Sequence, residues 1–163
     1  MLDPRERVQL PNAHASVEMS ETGFDIHMPF VEHLGLQLLE KSGGRARVRL
    51  DPRPEHLNSW KAVHGGVLLS LLDVALSSAA RALDPACIGA STVEIKVNFL
   101  AAARGPVLAE ARATRAGRTL IFSEAELHGA EGDLLAKANG TFKLLYPRTE
   151  EQPQSCRSIR RPS

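Results

Sequence analysis

Hydrophobic and polar positions alternate with period two through much of this chain. Arg45, Arg47 and Arg49 face one way while Ala46, Val48 and Leu50 face the other. The same period recurs where Val93, Ile95, Val97 and Phe99 alternate with Glu94, Lys96 and Asn98. Val107, Ala109, Ala111 and Ala113 form a third set, and Ile121, Ser123, Ala125 and Leu127 a fourth. Such alternation marks strands with one buried face. A strand over Leu36 to Glu40 precedes the first set across Ser42-Gly43-Gly44, a hairpin signal. A last strand runs from about Leu134 to Tyr146. Gly105-Pro106, Ala116-Gly117-Arg118 and residues 129–133 read as tight turns between consecutive strands, hence an antiparallel sheet.

Two segments depart from this period. Pro29 to Leu34 predicts a short helix ended by Gly35. Gly66 to about Leu83 predicts the one long helix, closed by Asp84-Pro85. Its surface is apolar nearly all round, so burial is expected. Its polar side chains Ser70, Asp73 and Ser77 recur at spacings of three and four, a single stripe with Gly66 at its start. Residues 55–63 form the loop before it. The expected fold is α+β: one long helix wrapped by an antiparallel sheet of about six strands. Residues 26–146 make up this domain. Residues 1–25 read as an N-terminal arm, and 147–163 as a disordered, solvated tail.

Composition narrows the function. The chain has 163 residues, 43% hydrophobic and 24% charged, with a net charge of +1. That balance gives no electrostatic case for nucleic acid, and five Phe, one Tyr and one Trp give no base-stacking platform. No apolar run approaches the roughly 20 residues of a membrane span, and the first residues lack the apolar core of a signal peptide. Cys87 and Cys156 form no CxxC, so two unpaired thiols and a cytoplasmic location are expected. No second His or Cys lies at ligand spacing from His64, and His56 lies outside the usual short motifs. No metal and no cofactor are expected.

The chemistry concentrates in His64-Gly65-Gly66 and Asp73. Two glycines open the long helix, where backbone N–H groups have no intrahelical partner. Asp73 is a lone carboxylate among leucines and alanines, and a charge there faces water, a partner or a substrate.

With the predicted architecture, Asn58-x5-His64-Gly65-Gly66-x6-Asp73 resembles the hot-dog fold thioesterases. The match is to the phenylacetate-pathway (PaaI-like) branch of the 4-hydroxybenzoyl-CoA thioesterase superfamily. The resemblance covers about residues 30–146. Thr92-Val93-Glu94-Ile95-Lys96-Val97-Asn98-Phe99-Leu100, Gly105 and Arg115-Ala116-Gly117-Arg118-Thr119 agree with it. Lys61 departs from it, because many relatives carry glycine there.

The resemblance implies an acyl-CoA thioesterase acting as a homodimer or a dimer of dimers, with CoA entering as part of the substrate. Asp73 is implied as nucleophile or general base; the plainer reading is a surface carboxylate paired with an arginine. Gly65 is implied as the oxyanion donor, and it also reads as a cap or turn glycine. His64 touches substrate or caps the helix. Asn58 orients Asp73 or a water across the dimer interface, or is an ordinary loop residue. Thr92 places the attacking water, with Ser91 as its rival because a one-residue slip flips a strand's face. Gly66, Ser70 and Ser77 are candidates to line the pocket, Gly66 also permitting close packing at the helix start. Arg115, Arg118 and Arg104 are candidates for CoA. No GxSxG elbow exists, which disfavours a serine hydrolase.

Eight residues of helix separate Gly65 from Asp73, about 12 Å at 1.5 Å per residue. If both act on one thioester carbon, they come from different subunits: Asn58, His64 and Gly65 from one, Asp73 and Thr92 from the other. The alternatives on the same fold are a non-catalytic acyl-CoA binder and a dehydratase.

Overall fold

The computed structural model describes residues 22–147. The expected arm falls almost wholly outside these residues, as do Cys156 and nearly all of the expected tail. The elements are α1 (Pro29–Leu34), β1 (Leu36–Ser42), β2 (Arg45–Leu50), a single 3₁₀ turn (Pro54–His56), α2 (Gly65–Arg81), β3 (Gly89–Phe99), β4 (Val107–Ala116), β5 (Ile121–Gly129) and β6 (Leu134–Leu145). Gly35 ends α1 in the left-handed conformation, at φ 67°. Gly43 and Gly44 turn the β1–β2 hairpin with φ of 52° and 77°, the double positive φ of a type I′ turn. Among the described residues no helix is long and apolar enough to cross a membrane.

The six strands form one antiparallel sheet in the order β1-β2-β4-β5-β6-β3. The helix packs across the sheet because the two faces fit by size. Its buried side brings Leu68, Leu71, Leu72 and Leu76. Opposite it the strands present small buried residues: Ala46, Ala109, Ala111, Ala125, Ala136 and Ala138. Alanines there let the leucines fill the gap between helix and sheet. Each fully buried leucine contributes about 1.5–3 kcal/mol.

The structure corrects one expectation of topology. Gly105-Pro106 does not join neighbouring strands. β3 lies at the far edge, paired only with β6, and residues 100–106 carry the chain back to β4 in the middle of the sheet. This connection is pinned where Leu100 and Ala101 N–H donate to the Leu135 carbonyl and Val63 N–H donates to that of Ala103. An eleven-residue strand is thereby left with one unpaired edge.

The helix is also less enclosed than its composition suggests. Gly65, Ser70, Asp73, Val74 and Ser77 are partly exposed, and Leu69 is exposed. The polar stripe is therefore the open side of α2, not a buried one.

The other end of α2 is closed by charge. Arg81, buried, donates to Asp25 Oδ2 at 3.1 Å, and Lys41 Nζ donates to the same oxygen at 3.0 Å. Burial pushes the Asp25 carboxyl up, but the Lys41 and Arg81 cations outweigh it and hold its pKa below the usual 3.8. A depressed folded pKa stabilises the fold above the unfolded value and loses that contribution as pH falls through the folded one. Asp25→Ala is expected to cost about 1–2 kcal/mol at neutral pH in urea unfolding, less than for a fully buried pair. The deficit should shrink as pH falls below 3.8 and through the lowered folded pKa, where the wild-type carboxyl is neutralised as well.

Candidate functional site

The start of α2 accounts for its backbone donors with one exception. The first four N–H groups of a helix lack intrahelical partners. His64 N–H donates to the His56 carbonyl at 2.8 Å, and Val67 N–H to the His64 carbonyl at 2.9 Å. Gly66 N–H donates to His64 Nδ1 at 2.9 Å. Of the four, only the Gly65 N–H has no partner among the described residues. His64 is thus the N-cap, its ring doing what a Ser or Asp side chain does elsewhere. With Nδ1 accepting, the neutral ring carries its proton on Nε2.

The two glycines differ in their reasons. A Cβ at Gly66 would stand 3.1 Å from His64 Nδ1, so the capping ring would have to shift by a few tenths of an ångström to admit one. A Cβ at Gly65 would meet only the Phe99 ring edge, at 3.7 Å. Among the described residues nothing excludes a side chain at Gly65.

His56 scaffolds this corner. It is buried, its Nδ1 accepts from the Arg53 N–H at 3.1 Å, and its Nε2 lies 3.3 Å from Arg53 Nη2. Burial and the neighbouring guanidinium both depress its pKa, so the ring stays neutral while its carbonyl fixes His64. Sequence reading passed over His56 because its burial depends on contacts that no local pattern reveals.

Asp73 lies two turns along α2. Thr92 Oγ1 donates to its Oδ1 at 2.8 Å. Desolvation raises the Asp73 pKa above 3.8, opposed by the Thr92 hydrogen bond. Among the described residues no cation pairs with it, so the surface ion-pair reading does not hold. Ser91, the rival to Thr92, makes no such bond. β3 is irregular here: Thr92 pairs with Phe142 and Glu94 with Thr141, leaving Val93 as an extra residue. The bulge breaks the period-two count and re-aims the side chains beside it.

The remaining candidates fall into three groups. Asn58 Oδ1 accepts from Trp60 N–H at 2.9 Å and Ala62 N–H at 3.2 Å, which locks the loop before α2. Within the chain, then, Asn58 does not reach Asp73. Ser70 and Ser77 donate to the Gly66 and Val74 carbonyls of their own helix, at 2.9 and 3.1 Å. This back-bonding satisfies the stripe without a partner. Arg104, Arg115 and Arg118 are exposed and form no ion pair among the described residues.

The chain therefore gathers Asp73 with Thr92, and His64 with Gly65 and Gly66, but keeps the two groups apart. Gly65 and Asp73 lie on one continuous helix, with about 12 Å of rise between them.

Comparison with known proteins gives the family of the chain. The thioesterase superfamily model matches residues 61–136. A protein of Saccharolobus solfataricus named "Putative esterase" is 33% identical over 72% of this chain and 84% of its own length. The medium/long-chain acyl-CoA thioesterase YigI of Escherichia coli is 27% identical over 74% of this chain and 88% of its own. The phenylacetic acid degradation protein PaaI of Thermus thermophilus, solved as a point mutant, superposes with a TM-score of 0.66 at 29% identity, covering 72% of this chain and all of that one. With one long helix against a six-stranded antiparallel sheet, the chain has the hot-dog fold and belongs to the thioesterase superfamily.

Proposed function

We propose that the protein hydrolyses an acyl-CoA thioester at sites completed by two copies of the chain. One copy supplies the Gly65 N–H, with His64 and Asn58 behind it; the other supplies Asp73 and Thr92. The observation that carries this reading is the separation on α2. An unpartnered donor and an unpaired carboxylate lie too far apart on one rigid helix to grip the same carbonyl. The exposed edge of β3 offers the contact: it carries Val93 and Phe99, 60% and 51% exposed. Long apolar edges are normally covered, and two-fold pairing of identical edges is a common way to do so.

In the reaction, the thioester carbonyl oxygen takes the Gly65 hydrogen bond, and the helix N-terminus favours the charge that develops on it. Asp73 either accepts a proton from the attacking water or attacks the carbonyl carbon itself, leaving an anhydride that water then cleaves. In both routes the C–S bond breaks, CoA leaves as the thiol, and the free acid remains. The acyl group occupies the apolar space beside Leu69 and Phe99. Arg115 and Arg118, with Arg104, are free to meet the CoA phosphates.

A thiol-reactive dye with a series of aliphatic and phenylacetyl-type CoA esters tests this reading. CoA should appear at the same rate as free acid, from a protein that light scattering shows to be a dimer or larger. Binding of the esters without CoA release would instead indicate a non-catalytic acyl-CoA binder.

A further inference from the structure

Lys61 is the only non-glycine residue with positive φ among the described residues, at 57°. This left-handed backbone disfavours side chains bearing a Cβ, and lysine lacks the short polar group that eases Asn or Asp into it. The loop does not require lysine. Lys61 N–H donates to the Asn58 carbonyl at 3.0 Å, and the Asn58 N–H donates to that of Ala62 at 2.8 Å. Of these and the two bonds accepted by Asn58 Oδ1, only the first uses a group of residue 61, a backbone N–H that Gly or Asn would supply with less strain. Packing does not explain the residue either. Lys61 is exposed, and its ammonium has no hydrogen bond or ion pair among the described residues.

What lysine adds is a cation carried on a fixed stretch of backbone. The loop is closed by the Leu57–Val63 bridge. It is tied down by Val63 N–H on the Ala103 carbonyl and His64 N–H on that of His56. Lys61 therefore stands four residues before the Gly65 N–H on a segment that cannot swing away, beside Trp60, which is 80% exposed. Resting on the hydrolase reading above, we infer that Lys61 binds an anionic group of the thioester substrate, a CoA phosphate or a carboxylate on the acyl chain. A compact ammonium on a flexible stem suits such a group held away from the scissile carbonyl.

Three esters test this: a neutral acyl-CoA, the same acyl group on N-acetylcysteamine, and a dicarboxylic half-thioester of N-acetylcysteamine. Each is run with the wild type, Lys61→Asn and Lys61→Arg. KM should rise at least about five-fold in Lys61→Asn for esters bearing the recognised anion, with Lys61→Arg close to wild type and the difference shrinking in high salt. A rise confined to the CoA ester identifies a phosphate; a rise confined to the dicarboxylic ester identifies the acyl carboxylate. Lys61→Asn should melt at or above the wild-type temperature, which separates lost binding from lost folding. Equal KM values for wild type and Lys61→Asn on all three esters would overturn the assignment while leaving the hydrolase intact. No turnover of any ester by the wild type would overturn the hydrolase reading, and this inference with it.

Discussion

Asp73→Asn is expected to lower thioester hydrolysis by at least about three orders of magnitude, the scale seen when a nucleophile or its base is removed. The fold should not suffer. Asparagine keeps the oxygen that accepts the Thr92 hydrogen bond, made at 2.8 Å in the wild type. It also removes a carboxylate that burial disfavours. The sign follows from linkage. An acid whose folded pKa is raised binds protons more readily folded than unfolded, so ionising it costs stability as pH rises through that window. At neutral pH the wild type bears this cost and Asp73→Asn does not, so the variant should melt at the same temperature or higher. Wild-type activity should fall on the acid side with a midpoint above 3.8, because the ionised form does the work. Thermal melts and a pH–rate profile check both points.

Gly65→Pro is expected to lower kcat by about 10²–10³-fold, the usual effect of losing one oxyanion donor. It is a selective change, because Gly65 is the first residue of α2 and its N–H makes no hydrogen bond among the described residues. Proline is favoured at this helix position. His64, at φ −63° and ψ 135°, already has the extended backbone that a residue before proline needs. Helix content and melting temperature should stay close to wild type while the rate falls. Gly65→Ala keeps the donor and should lose less in kcat. A proline variant with wild-type kcat would remove Gly65 from the mechanism.

Much of this was legible in the sequence for local reasons. Strands β2, β4 and β5 each bury one face, so alternation gave their inward residues directly. Ile121, Ser123, Ala125 and Leu127 are all buried as the pattern requires. Asp73 was legible because a lone carboxylate in an apolar helix needs an explanation. What escaped depends on contacts distant in the chain. The position of β3 at the sheet edge is a property of topology, which Gly105-Pro106 does not encode. The choice of Thr92 over Ser91 turns on the Val93 bulge, an irregularity that simple periodicity cannot register. That Ser70 and Ser77 bond to carbonyls of their own helix is equally invisible to spacing, which says nothing of where a hydroxyl turns. The left-handed backbone of Lys61 has no signature in a residue that ordinarily avoids it.

The account stands on a site shared between two copies, and subunit complementation tests that most directly. Asp73→Asn and Gly65→Pro are each nearly inactive alone. In a mixed dimer, one site pairs the intact Gly65 of the first variant with the intact Asp73 of the second, and the other site carries both defects. Coexpression with statistical assortment should therefore restore about a quarter of wild-type activity, half the dimers being mixed and half their sites intact. A mixture no more active than its two parents, with mixed dimers demonstrably present, would contradict the shared site.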